Sequence, residues 1–124
     1  MAALRENAIT KLSTTSSVDM NTATATTLYT VPTGKSCIVT HVVVRNASTS
    51  LTTASYSFGF NSASFNDAVA NATHTELTGS TLYTILSAKV GATRGVAGDT
   101  FKVLMNTLQG GAATTTIDVF GYLF

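Results

Sequence analysis

The amino-acid sequence predicts one all-β domain, an antiparallel β-sandwich of jelly-roll or related Greek-key type with an extended N-terminal arm. Three observations predict it: short strand-like runs at regular spacing, glycine or proline in the turns between them, and no long amphipathic helical pattern. A chain of 124 residues has the usual size of a single domain with one core. Charged residues are only 10% of the chain, and Thr and Ser replace them. Because threonine is β-branched, this composition favours strands over helices.

Residues 1–25 are predicted to form the arm, and residues 26–124 the sandwich domain. Apolar side chains in the first segment are widely spaced, at Leu4, Ile9 and Leu12, and a run of Ser and Thr that follows them is unfavourable for a helix. The arm is expected to start with one short helix or an edge strand. A frayed terminus is an equal alternative, because sparse apolar residues cannot form a core of their own.

The first hairpin of the sandwich is predicted around the turn Pro32-Thr33-Gly34-Lys35, where proline presets φ and glycine accepts a positive φ. Strands are expected before it, at 27–31, and after it, at 36–45. Alternation in the second strand places Ile38, Thr40, Val42 and Val44 on one face and Cys37, Val39, His41 and Val43 on the other. Both faces are fairly apolar, which predicts a central strand covered by the opposite sheet and by the arm or a neighbouring subunit.

The next strand, 54–60, is predicted to point Tyr56, Phe58 and Phe60 into the core. Residues 61–79 are interpreted as a long excursion with a helical turn near 65–69. Asp99 is expected to cap the turn that precedes its strand. The remaining strands are predicted at 81–86, 100–105 and 115–124, with turns at 95–99 and 109–111.

The formal net charge of +1 provides no field that would attract nucleic acid or an anionic membrane, so neither partner is expected. A surface with so few charges is instead expected to be covered by neighbouring subunits. The opening residues lack the apolar run of a signal peptide, and no stretch approaches the ~20 apolar residues of a membrane span. The chain is therefore expected to fold in the compartment where it is made.

No catalytic residue, metal ligand or cofactor site is expected. Cys37 and His41 lie about 13 Å apart along an extended strand, too far to share a metal ion, and His74 is the other histidine. The sequence has no nucleophile-elbow motif. Its six carboxylates are scattered, which leaves a glycosidase pair as an open but unsupported alternative.

Two stretches resemble the opening hairpin of small structural proteins from tailed-bacteriophage virions. Those proteins commonly begin with the turn Tyr-Thr-Val-Pro-x-Gly-Lys, here residues 29–35, followed by a valine-rich strand that ends near an asparagine, here Asn46. Residues 98–101 and 117–122 are similar to the closing strands of the same group. The resemblance does not cover the arm or the middle excursion.

The resemblance implies a non-enzymatic virion structural protein, made in the host cytoplasm, without a cofactor. The leading expectation is a capsid decoration or cement protein, a homotrimer that binds the major capsid protein and stabilises the head shell. Leu4, Ile9 and Leu12 are the candidate contacts through which the arm would lie on a neighbour. The alternatives are a tail- or fibre-associated virion protein and a carbohydrate-binding module, although the chain has no tryptophan to stack on sugars.

Overall fold

The computed structural model describes residues 8–60, 63–89, 91 and 94–124, and over those residues it contains strands and turns but no helix. Accordingly, none of the described segments is a helix that could cross a membrane. The strands are β1 (Ile9–Asp19), β2 (Thr26–Thr30), β3 (Ser36–Arg45), β4 (Ser55–Phe60), β5 (Val69–Ala72), β6 (Tyr83–Ser87), β7 (Gly95–Val96), β8 (Thr100–Thr107) and β9 (Thr114–Leu123).

The strands form two antiparallel sheets that pack face to face, which confirms the predicted β-sandwich. One is a five-stranded sheet of order β1-β9-β3-β6 with β7 also paired to β3, and the other is a four-stranded sheet of order β2-β8-β4-β5. The pairs β4–β5, β3–β6, β2–β8 and β1–β9 are nested in the sequence, as in a long hairpin rolled up on itself. This nesting is the strand order of a jelly roll.

Aromatic side chains of β4 and β8 form the centre of the core between the sheets. Tyr56, Phe58 and Phe60 are buried, as predicted, and Phe101 of β8 packs with its ring centroid 5.1 Å from Phe60 and 6.2 Å from Phe58. Removing each such side chain from water contributes roughly 1.5–3 kcal/mol to folding. The core therefore depends on the alternation that the sequence shows in β4.

The turns predicted at residues 32–35 and 95–99 are both present, but the first does not close the predicted hairpin, because β2 and β3 lie in different sheets. In the turn between β2 and β3, the Lys35 amide donates to the Pro32 carbonyl at 3.2 Å, and Gly34 has a φ of 78°, as the third residue of a type II turn requires. The carboxylate of Asp99 accepts a hydrogen bond from the Val96 amide at 2.9 Å, so it caps the turn before β8. These two turns are specified locally by proline, glycine and aspartate.

Most of the predicted arm lies inside the sandwich. β1 pairs with β9 from Ile9 opposite Tyr122 to Asp19 opposite Thr114, and Val18 is buried in the core. β1 is thus an edge strand, which was one of the conformations expected for the start of this segment. The sandwich begins well before residue 26. Its pattern was hard to recognise because two bulges interrupt the alternation, one at Leu12 and one that includes Ser17 at a φ of 55°.

The helical turn predicted near 65–69 is not formed. Residues 63–68 are a loop, and Val69 begins β5, which pairs antiparallel with β4. Pairing with a strongly apolar neighbour gives this segment its conformation, although its own composition has little preference for a strand.

A bulge also changes the faces of β3. Its pairing with β9 shifts between Val39 and His41, so that Thr40 is the extra residue. Because one inserted residue reverses the alternation, the buried side is formed by Cys37 and Val39 before the bulge and by Val42 and Val44 after it. The prediction that the even-numbered residues of β3 share one face and the odd-numbered residues the other is therefore wrong. Cys37 and His41 lie on opposite sides of the sheet.

Candidate docking surface

The exposed apolar side chains are concentrated on one surface, the side of the five-stranded sheet that faces away from the four-stranded sheet. We call it the outer face. Strand register and alternation place six of the eight exposed large apolar residues of the described chain there. They are Ile9, Ile38, Tyr83, Ile85, Val96 and Phe124. These side chains come from β1, β3, β6 and β7 and from the residue after β9, so they are concentrated on one sheet instead of being scattered singly over the surface.

One row of the outer face crosses three strands. Ile9 of β1 is opposite Tyr122 of β9, which in turn is opposite Ile38 of β3. Ile9 is 64% exposed and Ile38 is 44% exposed, and the Tyr122 ring lies 5.7 Å from that of Phe124. Large side chains directly opposite one another on a sheet pack together, so this row is a continuous apolar ridge.

The next row carries an aromatic stack. The ring of His41 lies parallel to that of Phe120, with centroids 4.6 Å apart and an interplanar angle of 6°. The Thr40 hydroxyl is 3.0 Å from Nδ1 of His41 and 3.2 Å from the Phe120 carbonyl, to which it donates. The bulge at Thr40 therefore turns His41 outward, where its ring stacks on that of Phe120.

A polar cluster lies in the middle of the outer face. Nε of Arg45 donates to Oδ2 of Asp118 at 2.8 Å, and the Thr14 hydroxyl donates to Oδ1 at 2.7 Å. Burial alone would raise the pKa of Asp118, but the hydrogen bonds from Arg45 and Thr14, with the positive charges of Arg45 and Lys11, lower it below its ordinary value. The cluster ties β1, β9 and β3 together, and within it the carboxylate of Asp118 is compensated by Arg45.

On the opposite surface of the sandwich, part of β4 is covered by the chain itself. Ser57 and Gly59 of β4 point outward there, and the loop 63–68 lies over them: Oγ of Ser57 donates to the Ser64 carbonyl at 3.3 Å. Oδ1 of Asp67 accepts the Phe60 amide at 2.9 Å, which fixes the loop. The two sheets thus differ, since a loop packs on part of the outside of one sheet, whereas the other sheet leaves six large apolar side chains in solvent.

Two titratable side chains outside this face are largely enclosed by the chain: Cys37 is buried, and the side chain of His74 is 13% exposed. Burial raises the pKa of the Cys37 thiol to about 11, so the thiol stays protonated and unreactive at neutral pH. In the described part of the chain, no three His, Cys, Asp or Glu side chains come close enough to hold a metal ion. His74 packs on Tyr56 with centroids 5.2 Å apart, and its Nδ1 is 3.9 Å from Oε2 of Glu76.

The three predicted contact residues have different positions. Ile9 lies on the outer face and keeps the exposure that a contact needs. Leu12 is at a bulge and packs against the core of its own chain. Leu4 lies outside the described residues. Sequence reasoning did not single out Ile38, Tyr83 and Ile85, which are exposed on this face, although the two apolar faces of β3 were a signal of apolar side chains on its outer side.

Comparison with protein-family models, with curated proteins and with solved structures finds no match for this chain. Its function has to be inferred from its own residues and from the resemblance carried by residues 29–46, 98–101 and 117–122.

Proposed function

We propose that the chain is a non-enzymatic structural protein of a tailed-phage virion, in the first place a head decoration or cement protein that binds and stabilises the shell. The observation that carries the proposal is the outer face, with its six exposed large apolar side chains on one sheet. Large contiguous apolar patches mark surfaces that other proteins cover. Covering this one would contribute hydrophobic free energy to an assembly without any chemical step.

The position of the segments that resemble phage proteins supports the proposal. The turn at 32–35 joins β2 to β3, and Asn46, just after β3, has a φ of 56°, a conformation that asparagine tolerates better than most residues. The closing strands β8 and β9 pair with β2 and β3 respectively. The opening and closing segments that resemble phage proteins are therefore paired with each other in the fold. Such pairing is expected if the resemblance reflects one common structural unit.

The proposed partners are other copies of the chain, in a homo-oligomer, and the major capsid protein or another virion protein. A tail- or fibre-associated role would use the same face. Jelly rolls occur both in viral capsids and in lectins, so the fold does not choose between assembly and sugar binding. Burial of Tyr56, Phe58 and Phe60 removes three aromatic side chains from any sugar site and favours assembly.

The proposal can be tested with Ile38→Lys, which puts a charge into the apolar ridge that Ile38 forms with Ile9 and Tyr122 on the outer face. The matched control is Leu104→Lys, because Leu104 is a half-buried residue that points outward from a central strand of the other sheet. Shells of the phage that encodes the chain, prepared without it, are mixed with each variant and sedimented. We expect at least tenfold weaker binding for Ile38→Lys and unchanged binding for Leu104→Lys, because only the first places a charge in an apolar contact.

Equal binding of wild type and Ile38→Lys, with both folded by circular dichroism, would contradict the docking role of the outer face. Binding to a glycan array without binding to shells would favour the carbohydrate-binding alternative. Cryo-electron microscopy of the intact particle would then distinguish a position on the head from one on the tail.

A further inference from the structure

Sheet edges expose unpaired backbone N–H and C=O groups, and proteins usually blunt them with bulges, charges or short strands. Three of the four edge strands in the described part of the chain are blunted in this way. β1 has two bulges, β2 has one at Leu28, and β5 has four residues and an irregular pairing with β4. The short β7, which lies beside one end of β3, has two residues.

The fourth edge, β6, has none of these features. It pairs with β3 through five consecutive residues without a register shift, from Tyr83 to Ser87. No charged residue and no proline occurs from Leu77 to Ala88. Its outward side chains, Tyr83 and Ile85, are 61% and 57% exposed. Among the described strands none pairs with its other side, so β6 is a regular, uncharged and apolar edge.

We propose that β6 of one copy pairs antiparallel with β6 of a second copy about a twofold axis through Ile85, so that two five-stranded sheets become one continuous sheet. In this register Ile85 faces its own counterpart, and Tyr83 faces Ser87 of the second copy on the outer side. Thr84 faces Leu86 of the second copy on the inner side. Every pair is apolar or neutral, so self-pairing brings no like charges together.

The charges beside β6 are compatible with a second copy as the occupant. Glu76 accepts a hydrogen bond from the side chain of Thr84, which points to the inner side, away from Tyr83 and Ile85. Nζ of Lys89 donates to the Asn66 carbonyl at 3.1 Å and is directed at the chain's own loop. An uncharged strand offers no charge complementarity to a different, charged partner, whereas it complements itself.

Pairing at β6 would also join the two outer faces, because Ile85 stands beside Val43 in the row next to that of His41. The proposed docking surface would then extend across both copies.

A contact of five residues per strand buries less than the ~1,200 Å² of a stable interface. We expect a dimer at chain concentrations of about 1 mM and a monomer at about 1 µM. The inference goes beyond the proposed function by identifying the contact between copies, and it predicts a dimer in place of the trimer expected from the sequence.

The sharpest test is a disulfide across the axis. Residues directly opposite on antiparallel strands have Cα atoms about 4.5–5.5 Å apart, which a disulfide can bridge. Ile85→Cys should therefore give a covalent dimer under mild oxidation. Tyr83→Cys should not, because the two copies of residue 83 would be four residues apart. Ile38→Cys, with similar surface exposure, controls for random collision, and the native thiol of Cys37 is buried and does not interfere.

Mass measurement by analytical ultracentrifugation at about 1 mM chain supplies the second test. We expect Ile85→Lys to be monomeric, since a lysine on each side of the axis would place like charges opposite each other. Ile38→Lys should stay dimeric even if it no longer binds shells, which separates a failure of this inference from a failure of the proposed function. A wild-type monomer at that concentration, a trimer, or equal cross-linking of Ile38→Cys and Ile85→Cys would each overturn the twofold β6 contact.

Discussion

At the scale of residues, Gly121 shows how closely the strands of the five-stranded sheet approach each other. A Cβ atom at this position would collide with the Ile38 carbonyl oxygen and would lie 2.9 Å from Cδ1 of Leu12 and 3.1 Å from Cα of Val39. Two of these three neighbours are backbone atoms, which cannot rotate away. The site requires glycine because β9 is enclosed there between the bulges of β1 and β3.

We expect Gly121→Ala to lower the free energy of unfolding by about 2–3 kcal/mol, because overpacking forces backbone shifts. Gly111→Ala is the control, since Gly111 has no atom within 4 Å of its Cβ position and no positive φ. Urea unfolding followed by circular dichroism measures both variants. Equal midpoints for the two would show that the sheet relaxes around the extra methyl group.

The environment of His74 predicts a dependence of stability on pH. Burial lowers the pKa of His74 below its ordinary value, and the negative charge of Glu76 offsets only part of that shift. The folded chain therefore takes up the proton less readily than the unfolded chain does. The contribution of His74 to the free energy of unfolding is fully present above pH ~6.5, the ordinary pKa of histidine. This contribution is lost as the pH falls below that value.

His74→Gln should reduce the change in free energy of unfolding between pH 7.5 and pH 5.5, because Gln does not titrate. His41→Gln serves as the comparison, as His41 lies on the outer face and not against the core. Urea unfolding at both pH values gives the difference. The same pH dependence in His74→Gln and wild type would assign the effect to other groups, such as the carboxylates.

Single residues differ in how far the sequence predicts their surroundings. The environments of Gly34 and Asp99 were predicted because a turn depends on neighbours in the chain. The burial of His74 against Tyr56 was not, because it joins β4 to a distant loop. The same is true of the cluster around Asp118, whose hydrogen-bond donors lie 73 and 104 residues away.

At the scale of elements, β1 is the part of the fold that changes most between sequence and structure. Its alternation is interrupted by bulges, and its residues are mainly Ser and Thr, so no period of two is visible over more than a few residues. β3, in contrast, was predicted with its observed bounds because valine and isoleucine dominate it, but its bulge was not. A bulge depends on pairing with a partner strand, which is why local composition does not reveal it.

Deletion of residues 1–25 should abolish cooperative unfolding, because it removes β1 and the buried side chains of Val18 and Met20. Deletion of residues 1–8 leaves β1 complete and should keep a sharp transition. Thermal unfolding followed by circular dichroism at 218 nm, a strand-sensitive wavelength, would compare them. A cooperative transition in the longer deletion would mean that β1 is dispensable and acts as an arm after all.

At the scale of the whole molecule, the nested pairs make the fold depend on contacts between distant residues. β1 and β9 are neighbours in the sheet although they are the first and last strands in sequence. Because loop closure must precede these contacts, chains of this topology fold slowly. The jelly-roll class was predictable from the spacing of the strands in the sequence. The order of the strands in each sheet was not, because it depends on pairing between strands that are far apart in the chain.

We expect refolding from urea to take milliseconds to seconds, in the range of all-β sandwiches. Stopped-flow fluorescence of the four tyrosines can follow it. Val18→Ala, in β1, should raise the unfolding rate more than it lowers the folding rate if the outermost pair forms last. A refolding time in microseconds would indicate that local contacts dominate instead.

The register of β1 against β9 has a practical consequence for grafting foreign peptides. Ile9 and Tyr122 are directly opposite, so a linker of a few residues between these two positions would give a circular permutant with new ends at Gly110 and Gly111, in the loop that joins β8 to β9. Thr114, where β9 begins next to that loop, is about 26 Å from Tyr122 at ~3.3 Å per residue. An epitope inserted in the loop would project from the far end of the sandwich, whereas one attached beside Ile9 would shield the apolar ridge.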